Sequence, residues 1–238
     1  MSSHSLIIAG GDPLVVGSFG GLTDLLNAPL SQVRACCDVV EIRLDILCSC
    51  GWQEGERPWR HQDMLPLLFT ARCRAEGGVM ELPAPRRDKM IAAVIDEAAL
   101  VDVELSSLTA MADTVRLCQN RNVPWLASYH RFDAMPALGE LIDLRGRAHA
   151  AGAALFKVAA MIGCEGDIDV LEDFQRTSRD YPVASMGMGP LAAVSRVRCA
   201  LAGSVLNYGY IGTAPTAPGQ WPAGSLREAI HDGLRGKS

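Results

Sequence analysis

One lysine in this chain stands where a fold would try to bury it. Lys157 lies in the apolar run Ala153-Ala154-Leu155-Phe156-Lys157-Val158-Ala159-Ala160-Met161. The other two lysines differ: Lys89 follows Arg86, Arg87 and Asp88 and reads as solvated, and Lys237 sits next to the C-terminus. Burial disfavours an ammonium and can lower its pKa by about 3–5 units. A neutral amine at physiological pH is a nucleophile that carbonyl compounds trap as a Schiff base. The same side chain can instead snorkel or pair with a carboxylate, and the run alone does not choose between these readings. His130 is the second candidate. It ends the apolar stretch Val123-Pro124-Trp125-Leu126-Ala127-Ser128-Tyr129-His130, whereas His4, His61, His149 and His231 fall in expected loops or helices. An imidazole beside a Schiff-base lysine can shuttle protons at neutral pH, and a nearby carboxylate would fix its tautomer. Standing alone, His130 would read as a satisfied core histidine.

The elements that must carry these groups follow from alternation. Strand-like runs are expected at Leu14–Phe19, Asp38–Ile46, Pro66–Arg72, Leu100–Leu105, Val123–His130, Ala153–Met161, Pro182–Met186 and Ser204–Ile211. Helical patterns separate them, at Thr23 to about Cys37, Arg86–Ala99, Leu108–Asn120, Leu138–Ala151, Ile168–Ser178, Leu191–Ala202 and Ser225–Leu234. A further short strand, Leu6-Ile7-Ile8, and the turn Gly10-Gly11-Asp12-Pro13 make a hairpin before the first unit. The repeat of roughly 25–30 residues implies right-handed βαβ crossovers and a parallel sheet. Eight units in a chain of 238 residues predict an α/β fold, a (β/α)8 TIM barrel spanning 1–238 as one domain. An open doubly wound sheet would want a phosphate-binding glycine motif early on, but Gly10-Gly11-Asp12 leads into a strand rather than a helix.

Parity then sorts the polar residues. Residues i, i+2 and i+4 of a strand share a face. Glu41, Arg43 and Asp45 share one, as do Thr70 and Arg72, Asp102 and Glu104, Ser128 and His130, and Lys157 with Leu155 and Ala159. In a barrel, the C-terminal ends of the strands form the mouth of the active site. A structural ion pair closing the barrel top accounts for Asp102 or Glu104 alone. Arg43 and Arg72 can bind carboxylate or hydroxyl groups, or pair internally with Glu41 and Glu76. Burying all of these charges without a functional return is costly. Two loops add to the pattern. Gly187-Met188-Gly189-Pro190 reads as a tight turn that can also present N–H groups to an anion. Thr213–Gln220 reads as a lid over the mouth or an ordered surface loop.

Bulk properties narrow the classes. The net charge of −5, with no long basic block, argues against nucleic acid as a partner. No apolar run reaches the ~18 residues of a membrane span, and no signal-peptide pattern opens the chain, which together predict a cytoplasmic protein. Eight cysteines in a chain of this length make no disulfide framework, and Cys48-Ser49-Cys50 with Cys36-Cys37 matches no common zinc spacing.

With these residues placed, the chain resembles the type I 3-dehydroquinate dehydratases, the Schiff-base dehydroquinases of the shikimate pathway and of aromatic amino acid biosynthesis. The resemblance is carried by Glu41-Ile42-Arg43-Leu44-Asp45, Phe69-Thr70-Ala71-Arg72 with Glu76-Gly77-Gly78, and Asp102-Val103-Glu104-Leu105. It continues through Ser128-Tyr129-His130 with Phe132, Phe156-Lys157-Val158-Ala159, Ser185-Met186-Gly187, Ser195-Arg196 and Ala217-Pro218-Gly219-Gln220. It implies that Lys157 attacks the C3 ketone of 3-dehydroquinate and that His130 is the general acid/base, with Glu76 the carboxylate beside it. It implies that Arg196 holds the substrate carboxylate. Glu41, Arg43 and Arg72 would meet the hydroxyls and carbonyl end, Ser18 would lie in the substrate site, and Thr216 and Gln220 would close over it. It also implies a homodimer that needs no metal or organic cofactor. Arg43 and Arg72 are expected to depress the Lys157 pKa further. Thr216 stands where a serine is usual, so altered loop packing is expected. The segment from Ser185 to Arg196 is slightly long, which makes Arg198 the alternative carboxylate anchor. Arg131 follows His130 where an acidic residue is frequent and is expected to lower the histidine pKa. Two other readings share parts of the pattern: a different Schiff-base barrel lyase such as an aldolase, which would want a sugar-phosphate cradle, and an inactive homologue that only binds a metabolite.

Overall fold

The computed structural model describes residues 13–236. The early strand at Leu6-Ile7-Ile8, the turn at Gly10–Asp12, His4 and Lys237 lie outside the described residues. Eight strands form one parallel sheet: β1 (Leu14–Phe19), β2 (Val39–Arg43), β3 (Leu67–Thr70), β4 (Leu100–Glu104), β5 (Trp125–Arg131), β6 (Leu155–Met161), β7 (Val183–Met188) and β8 (Leu206–Ile211). Helices connect them: α1 (Leu22–Asn27), α2 (Leu30–Cys36), α3 (Leu44–Ser49), α4 (Ala84–Ala92), α5 (Ala112–Arg121), α6 (Leu138–Ala150), α7 (Glu165–Arg176), α8 (Ala192–Ala202) and α9 (Ala223–Arg235).

From β1 to β7 each strand pairs with the next in sequence, and β1 also pairs with β8 along its whole length, from Leu14 beside Leu206 to Phe19 beside Ile211. The expected (β/α)8 barrel is therefore present. Its seam lies between β7 and β8, which share no ladder among the described residues. At the lower end the seam is joined by the Val205 N–H donating to the Val183 carbonyl at 3.0 Å. The Ser185 N–H donates to the Ser204 hydroxyl at 3.2 Å.

The expected inward parity holds. Val16, Val39, Leu68, Leu100, Leu126, Leu155 and Leu206 are fully buried and form an apolar floor inside the barrel. Each such side chain contributes about 1.5–3 kcal/mol relative to exposure. The opposite faces of the strands pack a second apolar layer against the helices, including Phe69, Phe156, Phe174, Ile91 and Leu226.

Several helix boundaries depart from the sequence reading. The helix expected from Thr23 to Cys37 is two helices, because Pro29 holds φ at −65° and the preceding Ala28 is extended. β2 stops at Arg43 and α3 begins at once, so Asp45 leaves the strand and lies on the first turn of a helix. α4 ends at Ala92 and is followed by a 3-10 turn at Ile95–Glu97. Among the described residues no helix is long and apolar enough to cross a membrane.

Glycine is required where α9 meets β8. A Cβ on Gly209 would stand 2.4 Å from the Ala223 Cα and 2.8 Å from its nitrogen, both backbone atoms that cannot rotate away. Gly209→Ala is expected to destabilise the barrel by about 1–3 kcal/mol. Urea denaturation followed by circular dichroism reads this as a lower midpoint with an unchanged slope.

Candidate active site

Above the apolar floor the barrel interior turns polar. Five buried cations, Arg43, Arg72, Arg87, Lys157 and Arg196, share this end of the barrel with five buried carboxylates, Glu41, Asp45, Glu76, Asp102 and Glu104. Burial on this scale is tolerable only where each charge finds donors, acceptors or a counter-ion. Most do so within the barrel.

Asp102 sits at the centre. Its Oδ2 accepts from Arg72 Nη2 at 2.5 Å and from Lys157 Nζ at 3.1 Å, and its Oδ1 accepts from the Ser128 hydroxyl at 2.5 Å. Arg72 Nη1 also donates to Ser128 Oγ at 2.7 Å and to Glu104 at 3.2 Å. Glu104 is held in turn by Arg87 at 2.6 Å and by the Cys73 N–H. Arg43 forms a two-pronged pair with Asp45, at 2.8 and 2.7 Å, and donates to the Gly77 carbonyl. The expected alternative partners, Glu41 for Arg43 and Glu76 for Arg72, are replaced by Asp45 and by Asp102 with Glu104. Glu41 instead accepts from the hydroxyls of Ser18 and Thr70, at 2.5 and 2.9 Å.

Lys157 is 4 % exposed. Burial pushes its pKa below that of an ordinary lysine. Asp102 and then Glu41 pull it back up, while Arg72 adds to the depression. Arg72 thus acts as expected, and the carboxylate partner of the amine is the feature the sequence reading did not assign. Burial also disfavours charge on Asp102, but the nearby Arg72 and Lys157 prevail and hold its carboxyl below the usual range. Lys157 Nζ also lies 4.1 Å from the centre of the Tyr208 ring.

His130 stands two residues beyond Ser128 on the inward face of β5, where Ser128 pairs with Lys157. Its Nδ1 is 3.0 Å from Glu76 Oε2, which also accepts the His130 backbone N–H at 3.0 Å. The other Glu76 oxygen accepts from the Ser106 hydroxyl at 2.5 Å. A carboxylate receiving these donors orients the imidazole with Nδ1 protonated, which leaves Nε2 as the basic nitrogen. Gly77 and Gly78 let the chain turn beneath this pair. Gly77 has φ +91°, and a Cβ on Gly78 would lie 2.4 Å from the Arg72 carbonyl oxygen. Burial pushes the Glu76 pKa up, against the bonds from Ser106 and His130 and the charge of Arg72. The His130 pKa lies well below its ordinary value, first through burial and then through Arg72 and Lys157. Arg131 is not the cause expected for it: that side chain pairs outward with Asp133 and Glu140.

Arg196, on α8, enters through the barrel seam. Its Nη1 donates to the Tyr208 carbonyl on β8 at 2.8 Å and meets Met186 Sδ on β7 at 3.3 Å. Among the described residues it has no carboxylate partner, and burial lowers its pKa to about 10. Arg198 faces away and pairs with Asp169 and Glu172 of α7, so Arg196 is the arginine brought to the site.

The mouth is covered by the segment after β8. Thr216, Ala217, Pro218 and Gln220 line a cavity of about 150 Å³ together with Glu41, Arg43, Arg72, Glu76, His130, Lys157, Met186, Met188, Arg196, Tyr208 and Phe132. Both the N–H and the hydroxyl of Thr216 donate to Gln220 Oε1, at 2.8 and 2.9 Å. The Gly189 N–H donates to the Pro218 carbonyl and the Gly187 N–H to Ser195 Oγ. The glycine turn is thus occupied by protein acceptors and works as a tight turn rather than an anion cradle. Of the ten residues singled out in the sequence, nine line the cavity. Ser18 does not, because it lies below Glu41, fully buried. Tyr208 and Met188 are the additions, and Phe132 and Met186 line the cavity as members of motifs that had been given no role; Asp102 bonds Lys157 but does not line the cavity. Among the described residues no group of three His, Cys, Asp or Glu is arranged to hold a metal ion.

A nearly closed parallel barrel with a buried amine, an oriented imidazole and an unpaired guanidinium in one covered cavity is the equipment of an imine-forming barrel lyase. Comparison with known proteins agrees. Residues 22–232 match the model of the family described as type I 3-dehydroquinase. A 3-dehydroquinate dehydratase of Shouchella clausii is 33% identical, over 92% of this chain and 88% of the relative, and one of Methanothrix thermoacetophila is 31% identical over 92% and 91%. The crystal structure of a 3-dehydroquinate dehydratase from Geobacillus kaustophilus superposes with a TM-score of 0.86 at 28% identity, covering 96% of this chain and 93% of that one. The chain belongs to the type I 3-dehydroquinase family, whose members are lyases acting through a lysine Schiff base.

The low pKa of His130 gives a prediction with a definite sign. Its imidazole stays neutral as the pH falls through the ordinary histidine value of 6.5. The folded state then binds fewer protons than the unfolded chain, so stability declines as the pH drops below 6.5 towards the folded value. Histidine NMR titration should show one ring, absent from His130→Asn, that titrates well below the ordinary value of 6.5.

Proposed function

We propose that this chain dehydrates 3-dehydroquinate to 3-dehydroshikimate through an imine on Lys157. The observation that carries this reading is the meeting of the Lys157 amine, the Glu76-oriented His130 and the unpaired Arg196 in one covered cavity. Lys157 Nζ adds to the C3 ketone, and the carbonyl oxygen leaves as water. Ketone and ammonium become iminium and water, with charge conserved. The iminium draws electrons from C2, and His130 Nε2 removes a C2 proton to give a neutral enamine. The enamine expels the C1 hydroxyl, which leaves as water with the proton from His130. Water then hydrolyses the conjugated iminium, restoring the ammonium and releasing an enone. The net change is loss of one water, and no step calls on a metal or redox group.

The remaining groups take roles that fit their geometry. Arg196 binds the substrate carboxylate, for which it has a free charge. Arg43, Arg72 and Glu41 meet the hydroxyls and the carbonyl end, with Ser18 holding Glu41 from below. Thr216 fixes Gln220 Oε1, which leaves the Gln220 amide N–H groups for the substrate. Residues 1–238 act as one catalytic domain, in a homodimer, in the cytoplasm. Light scattering near twice the chain mass of 25.5 kDa is the expected result for the dimer.

Two measurements test the chemistry. Incubation with 3-dehydroquinate followed by borohydride should place a stable adduct on the peptide containing Lys157, and Lys157→Met should abolish both adduct and turnover. A label on Lys89 instead, or none at all, contradicts the reading. Glu76→Gln should lower kcat, followed as enone absorbance, by about 10²-fold or more, because the imidazole loses its tautomer control.

A further inference from the structure

We propose that the face of the Tyr208 ring is a seat for positive charge on the Lys157 nitrogen, holding the ammonium of the resting protein and the iminium that replaces it. The inference rests on the imine chemistry proposed above and adds a residue to it. Nζ lies 4.1 Å from the ring centre, inside the ~6 Å within which a cation is attracted by an aromatic face. Both groups are buried, Tyr208 at 3% exposure, so water does not screen the contact. Asp102 takes the amine from one direction, and the ring supplies a second, uncharged contact.

The nitrogen is tethered while its charge changes. It is cationic as ammonium and as iminium, and neutral as free amine and as enamine. A π face favours the first pair and does little for the second. Asp102 favours the same cationic pair, but more strongly and from a fixed counter-charge. The ring stabilises the charge without offering a basic atom that could capture its proton.

The phenol is suited to this use. Its hydroxyl is buried with no partner among the described residues. Burial, with Glu41 and Asp102 nearby, keeps it un-ionised. The backbone beneath it is anchored by Arg196 donating to the Tyr208 carbonyl, which ties the ring to the residue proposed to hold the substrate carboxylate. The other charged or titratable groups facing Lys157 are Glu41 from β2, Arg72 from β3, Asp102 from β4 and His130 from β5. They are the same in every variant below.

The test varies the ring's charge distribution at nearly constant shape. Tyr208→Phe is the parent, and position 208 is then filled with phenylalanines carrying one, two and three ring fluorines, each of which weakens the negative face. Two readouts are followed: the acid limb of the kcat/KM profile and the rate of borohydride trapping on Lys157. Weaker support for the ammonium lowers its pKa, so the acid limb should move to lower pH with each fluorine. Weaker support for the iminium should slow trapping in step, and Tyr208→Leu should slow it on the order of ten-fold. Packing loss alone would not link the two shifts to fluorine number. If the fluorinated series overlays the Tyr208→Phe parent in both readouts while Lys157 is still labelled, the charge seat is overturned and the imine reading stands. If Lys157 in the unsubstituted protein takes no label, both fall together.

Discussion

The structure turns on one carboxylate shared by two cations. Asp102 binds Arg72 and Lys157 through the same oxygen and Ser128 through the other. A buried lysine without a counter-charge would force the barrel to distort or the amine to lose its proton. A buried lysine with a private carboxylate would stay an ammonium and lose its nucleophilicity. Sharing resolves the conflict. Arg72 draws on the charge of Asp102, so the carboxylate fixes the position of the amine without fully securing its proton. Arg72 itself is further bound by Glu104, and Glu104 by Arg87 on α4, so the arrangement is braced from outside the barrel.

The architecture serves this cluster in two ways. The leucine and valine floor closes the barrel below it and excludes water from that side. The incomplete pairing of β7 and β8 opens the wall at the right height for Arg196 to enter from α8. Its guanidinium takes the Tyr208 carbonyl, joining β8 to a side chain where strand pairing is missing. A lapse in the sheet thereby becomes the route by which an unpaired cation reaches the cavity.

Much of this was legible in the chain and some of it was not. Period-2 alternation placed Glu41, Arg43, Arg72, His130 and Lys157 on inward faces, because side-chain direction along a strand is a local property. Partner choice was not legible. It depends on the stagger between strands, which brought Asp102 rather than Glu76 to Arg72, gave the same carboxylate to Lys157, and put Asp45 rather than Glu41 on Arg43 after β2 had ended. Arg196 and Arg198 were both candidates because the segment leading to them is slightly long, and two residues apart on a helix they face nearly opposite ways. Which one faces inward was set by the packing of α8 over the seam. Tyr208 had the inward parity of Leu206 and Tyr210, yet carried no charge to single it out. Helix ends were misjudged at Pro29 and at the 3-10 turns, where short local interactions outweigh hydrophobic period.

The central claim is that Lys157 carries an amine both held and readily deprotonated. The chain has only three lysines, so selective 15N labelling of their side chains resolves the question directly. The account predicts that the resonance missing from Lys157→Met titrates at lower pH than an ordinary lysine, and that it moves lower still in Asp102→Asn. A Lys157 signal titrating at the ordinary lysine value would contradict it.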